Sequence, residues 1–159
     1  MNVLDRARSA IQKLKALVHK VDEIQLAVGR IEAYQRHDDS SRNPRDYEFK
    51  VYSQWGEDGS IQFLVRLINP QPQLFIEFGV QNYTEANTRF LLCNNNWAGL
   101  VIDGSQEHVD AIKRDDIYWL YKLKAECAFI DRDNINSLIE RNGVSGRMTG
   151  RRSARDALG

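Results

Sequence analysis

Two short apolar runs in this chain close on an acid: Leu74-Phe75-Ile76-Glu77-Phe78 leads into Gly79, and Gly99-Leu100-Val101-Ile102 ends at Asp103. A carboxylate at the end of a strand can accept two hydrogen bonds from a cis-diol, which a neutral side chain does less well. A glycine after a buried strand lets the backbone turn where a side chain would block a ligand. Unpaired N–H groups at the start of the next helix, expected near Thr84 or Glu85, would point back to the same place. Asp103 lies about two dozen residues beyond Gly79, near the ~20-residue separation at which an acid after a second strand meets ribose hydroxyls. The chemistry indicated is capture of a nucleotide-type cofactor. One such unit taken alone is equally well an ordinary strand-turn-helix, so the acid-terminated pair is the more informative signal.

Elements that could position these residues follow along the chain. From Val3 to about Tyr34, apolar residues Leu4, Ala7, Ile11, Leu14, Val18, Val21, Ile24, Val28 and Ile31 recur by threes and fours, which predicts one long amphipathic helix. Val21, Ile24 and Val28 break the coiled-coil alternation, so a dimerising helix and a helix packed on its own domain both remain open. Residues 37–50 read as a polar linker. A short helix over Ile61 to Ile68 is stopped at Asn69-Pro70, and Ser53 or Asp58 is expected to cap its start. The other reading of that polar stretch places Gln54 and Glu57 over the loop after the first strand. After the organising strand, a helix is expected from about Glu85 to Leu92, ended by Asn94-Asn95-Asn96, and another from Gln106 to Arg114. The aromatic run Ile117–Tyr121 predicts a third strand reaching to about Leu123, with a loop over Ala125–Phe129 and a helix capped by Asp131 or Asp133. Strand and helix alternating three times give an α/β fold: the first three parallel strands of a partial Rossmann-like, doubly wound sheet, preceded by the long helix.

At 159 residues the chain is of single-domain length, with 42% hydrophobic and 28% charged residues, ordinary for a globular protein. Formal charge is zero but unevenly placed. The segment from Arg141 to Gly159 holds five arginines against one aspartate, so residues 1–140 carry the balancing excess of acid. An overall basic surface for nucleic acid is not indicated. Cys93 and Cys127 show no pairing pattern, and His19, His37 and His108 are too scattered for a metal site. With no apolar run long enough for a bilayer span and no apolar core of a signal peptide, the expected location is cytoplasmic.

The linked segments Ser53–Gly59, Phe75–Val80, Tyr83–Leu92 and Trp97–Gly104 together resemble the N-terminal half of FkbM-like class I S-adenosylmethionine-dependent methyltransferases, over about Val51 to Ile139. The resemblance implies a cofactor lying across the ends of the first two strands and methyl transfer to a hydroxyl of a glycan or other small acceptor. It places Glu77 and Gly79 at the methionine end of S-adenosylmethionine, Asp103 at the ribose diol, and Gln54 and Glu57 above. No catalytic base is indicated. Gln81 departs from the pattern, standing where a second glycine would let the backbone close on the cofactor. Residues 143–159, basic and without apolar periodicity, stand where a fourth strand is expected. A truncated and catalytically inactive family member is therefore expected, with Leu74–Phe78 left as an apolar sheet edge and a disordered tail. The alternative is a non-catalytic module that forms homo-oligomers through its N-terminal helix. A nicotinamide site lacks its glycine triplet, since Val80, Gln81, Asn82 and Tyr83 follow Gly79.

Overall fold

The computed structural model describes residues 2–36 and 41–144. Part of the expected linker and nearly all of the basic tail therefore lie outside the described residues. Two compact units divide the chain, Met1–Ala128 and Phe129–Gly159.

In the first unit, α1 (Val3–Gln35) opens with a capping box, Asn2 accepting from the Leu4 N–H and the Asp5 carboxylate accepting from the Asn2 N–H. Its last third packs on the domain. Gly29 is its one buried residue, and a Cβ there would press on Val51 and lie 2.9 Å from the Phe90 ring, so the helix approaches the core through a missing side chain. Leu26 packs on the core beside it, Gln25 donates to the Val51 carbonyl, and Arg30 donates to that of Cys93 at 3.3 Å.

A 3-10 turn over Pro44–Tyr47 stacks the Tyr47 ring on Phe63, with ring centres 4.2 Å apart. The helix α2 (Glu57–Ile68) carries Phe63 and ends at Asn69, which adopts the left-handed conformation (φ 45°). Next come β1 (Leu74–Phe78), α3 (Arg89–Asn95), β2 (Ala98–Asp103), α4 (Gln106–Arg114), α5 (Ile117–Leu120) and β3 (Leu123–Cys127). The strands form a parallel sheet in the order β1-β2-β3, with Phe75 beside Gly99, Phe78 beside Ile102, and Asp103 beside Cys127. The α/β class and the three parallel strands expected from the sequence are both present. The central strand is the driest: Leu100, Val101 and Ile102 are all buried, which suits a strand covered on both faces. Val109 and Ile112 of α4 pack in the same core as Val101, along with Phe75, Leu91 and Leu92.

Two expected boundaries are corrected. The aromatic run is not the third strand. Asp115 accepts the Ile117 N–H through its side chain and the Asp116 carbonyl accepts the Leu120 N–H, so local bonds wind Ile117–Leu120 into the single turn α5. The strand lies later, from the residue expected to end it into the expected loop, with Leu123 and Ala125 buried and Lys124 exposed between them. The helix expected from Glu85 begins only at Arg89, because residues 79–88 form an extended turn over the strand ends.

In the second unit, α6 (Ile135–Arg141) follows a turn in which the Asp131 carboxylate accepts the N–H groups of Asp133 and Asn134. Asp131 thus supports the turn before the helix, and Asn134 is the capping position.

Candidate cofactor site at the strand ends

Because β1 and β2 run parallel, Glu77 and Asp103 meet at one rim of the sheet, with Glu77 level with Val101, two residues before Asp103. Side chains two apart along a strand share a face, so the two carboxylates lie on the same face as well. Between them the backbone turns. Gly79 extends the ladder, its N–H donating to the Ile102 carbonyl at 2.9 Å, and it takes φ +67°. No atom lies within 4 Å of where its Cβ would stand, so the turn borders open space.

Asp103 is 7% exposed and well supplied with donors. Its Oδ2 accepts the Gln81 N–H at 2.8 Å, and its Oδ1 accepts the Ser105 N–H at 2.9 Å and lies 3.0 Å from Nδ1 of His108. Burial raises its pKa, but the Ser105 N–H, the His108 ring and the Gln81 N–H together hold it below the usual carboxylate range. The acid is therefore ionised at neutral pH and ties the loop after β1 to the start of α4. Three of about four acceptor positions are filled from within the chain, which leaves Oδ2 with room for one further donor. Gln81 itself sits at φ +51°. The backbone thus adopts at residue 81 the left-handed turn that a glycine would favour, and the side chain, which is exposed, does not prevent it.

Glu77 is engaged differently. Its carboxylate accepts the Asn87 N–H at 3.0 Å, the Thr88 N–H at 3.1 Å and the Thr88 hydroxyl at 2.5 Å. Those groups lead into α3, so the acid of β1 serves as a remote cap that fixes where the helix starts. Like Asp103, it has three of about four acceptor positions filled from within the chain, and those bonds shape the turn.

The stretch before α2 is drawn to the same loop. Arg89 stands between two rings, its guanidinium carbon 5.0 Å from the centre of Tyr52 and 5.9 Å from that of Tyr83, and it donates to the Tyr83 carbonyl at 2.9 Å. Lys50 adds an exposed ion pair to Glu85 at 3.5 Å. The Asp58 carboxylate folds the stretch on itself, accepting the N–H groups of Val51, Tyr52 and Ser53 at 2.7–2.8 Å and the Ser53 hydroxyl at 2.9 Å. Ser53 Oγ in return accepts the Asp58 N–H in the first turn of α2, but the capping position itself is Gly56, at φ +101°, so neither Ser53 nor Asp58 is the N-cap expected from the sequence. Glu57 accepts the Trp55 N–H at 2.8 Å; burial raises its pKa, yet that bond, its own N–H, the Ser53 hydroxyl and Lys50 bring it below the usual range. Gln54 is exposed and its carbonyl accepts from Lys50.

The structure therefore brings Glu77, Gly79 and Asp103 together at the strand ends, while Gln54 stands in the stretch before α2 and Glu57 is the first residue of α2. His108 and the N–H of Gln81 were not singled out from the sequence. For His108, the usable signal is Ser105, whose hydroxyl accepts the His108 N–H at 3.4 Å and caps α4 so as to turn the ring back towards Asp103. Among the described residues, no cluster of His, Cys, Asp and Glu could hold a metal ion, and no helix is long and apolar enough to cross a membrane. No protein-family model, curated protein or solved structure matches the chain.

A separate groove of about 700 Å³ runs between α1 and the segment Arg114–Tyr121, lined by Leu14, Val18, Leu26, Tyr52, Arg89 and Cys93 among others. Its inner wall is poorly ionisable. Burial pushes the Tyr52 phenol up to about 12 and also raises the Cys93 thiol and the Tyr121 phenol above their ordinary values.

Proposed function

We propose that the rim formed by β1 and β2 binds S-adenosylmethionine, as the cofactor half of a methyltransferase fold whose acceptor is a hydroxyl of a glycan or similar small molecule. The observation that carries this reading is the ionised Asp103 carboxylate beside the Gly79 turn, at the carboxyl ends of adjacent parallel strands, where open α/β sheets place their ligands. The residues present fit such a group. Asp103 has an acceptor position left for a ribose hydroxyl, Gly79 leaves space for close approach, and the Glu77 cap holds the loop between them. When bound, the sulfonium supplies an activated methyl group, so the chain need only align it; no side chain here is assigned as a base.

Titration calorimetry with S-adenosylmethionine and its demethylated product tests the reading. Binding is expected, weakened about tenfold in Asp103→Asn, a change of ~1.4 kcal/mol. No heat at millimolar ligand from the folded wild-type protein rejects it. A second reading, a non-catalytic assembly module, is favoured by the exposed apolar side chains along α1.

A further inference from the structure

Ten large apolar side chains of α1, from Val3 to Ile31, are each 51–79% exposed, and every residue from Val3 to Glu23 is exposed. The largest apolar patch of an ordinary monomer covers about 300–600 Å², and a long helix lying free in water is marginal by itself. Leu4, Ile11 and Val18 recur every seven residues, and so do Ala7, Leu14, Val21 and Val28. These two rows form a seam, and Val3, Ala10, Leu17, Ile24 and Ile31 widen it on one side. Towards its C-terminal end the first row turns to the domain, since Gln25 follows Val18 by seven residues and meets it together with Leu26, Gly29 and Arg30, while Val21, Ile24, Val28 and Ile31 stay exposed beside it.

Charge decides how the seam is covered. Residues 3–20 carry Arg6, Arg8, Lys13, Lys15 and Lys20 against Asp5, whereas residues 21–35 carry Asp22, Glu23 and Glu32 against Arg30. Side-by-side parallel helices would set the basic half against itself. Reversed, the basic half meets the acidic half.

We propose that α1 pairs with α1 of a second copy of this chain, antiparallel, about an axis near residues 15–17. In this register Leu4 lies against the partner's Val28, Ile11 against the partner's Val21, and Leu14 against the partner's Val18. Leu17 meets the partner's Leu17 on the wide side, and Arg8 meets the partner's Asp22 on the other. Gln25, the one polar residue of the seam, is turned to its own domain and faces only the small side chain of Ala7 of the other copy. The proposal rests on the assembly reading of α1 and is independent of any cofactor at the rim.

Light scattering of the full chain gives the mass, with twice 18.4 kDa expected. Oxidation of variants gives the orientation. A mixture of Leu14→Cys and Val18→Cys chains should form a disulfide between positions 14 and 18, mapped by peptide mass, while neither variant alone crosslinks at its own position. Val21→Asp should halve the mass. Arg8→Asp and Asp22→Arg should each weaken the dimer, and the double exchange should restore it. A monomer at high concentration overturns both this pairing and the assembly reading. A 14-to-14 disulfide in the single variant, or a mass above the dimer, overturns the antiparallel pair and leaves assembly standing.

Discussion

Asp103 takes two backbone N–H groups and the His108 ring onto a side chain that is 9% exposed, so its charge belongs to the fold as much as to any ligand. An amide cannot replace it, because the Gln81 and Ser105 N–H groups approach different oxygens and one would face an NH₂. Asp103→Asn is therefore expected to destabilise the protein by about 1–3 kcal/mol, read as a lower urea midpoint at pH 7. The pH dependence follows from the lowered pKa. Its folded value lies below the ordinary 3.8, so the stabilisation is complete above about pH 4 and is lost as pH falls through the folded value. The gap between wild type and variant should be constant from pH 7 to 5 and close progressively below 3.8; a gap that widens on acidification contradicts this account. Glu57, also lowered, works in the same direction but is more open to water, and its effect should be smaller.

At the scale of elements, the attachment of α1 to the domain depends on an absence. Alanine at position 29 would drive a methyl group onto Val51 and the Phe90 ring. Overpacking costs about 1–3 kcal/mol, more than the ~1 kcal/mol that alanine's helix propensity returns, so Gly29→Ala should lower the melting temperature. An unchanged or higher melting temperature would mean that the helix does not pack there. What the sequence disclosed about elements follows the same physics. The strands β1 and β2 were legible because continuous apolar runs closed by an acid and a turn have few other solutions. The third strand was not, since Leu123 to Cys127 carries charge at alternate positions while the neighbouring Ile117–Tyr121 holds stronger strand formers. Two aspartates bonding locally outweighed those propensities. The start of α3 was misplaced for a related reason: it is set by Glu77, twelve residues earlier, through bonds to Asn87 and Thr88 that spacing alone does not reveal. Of the candidate site, the acids and the glycine could be read from their places at strand ends. The partners that orient Asp103 depend on the turn at Gln81 and on the capped entry to α4, both products of the folded backbone.

At the scale of the whole molecule, among the described residues the sheet has one strand with two neighbours and two with one. The Gly79 N–H reaches the Ile102 carbonyl, so by the two-residue period the N–H groups of Glu77 and Phe75 also face β2, and those of Ile76 and Phe78 face away. Deuterium uptake should therefore follow alternation along β1. The amides of Ile76 and Phe78 should label well before those of Phe75 and Glu77, and Leu100 to Ile102 should label last. If a further strand, from this or another polypeptide, were to dock along that side, Ile76 and Phe78 would become as slow as their neighbours, and two amide signals would report the event.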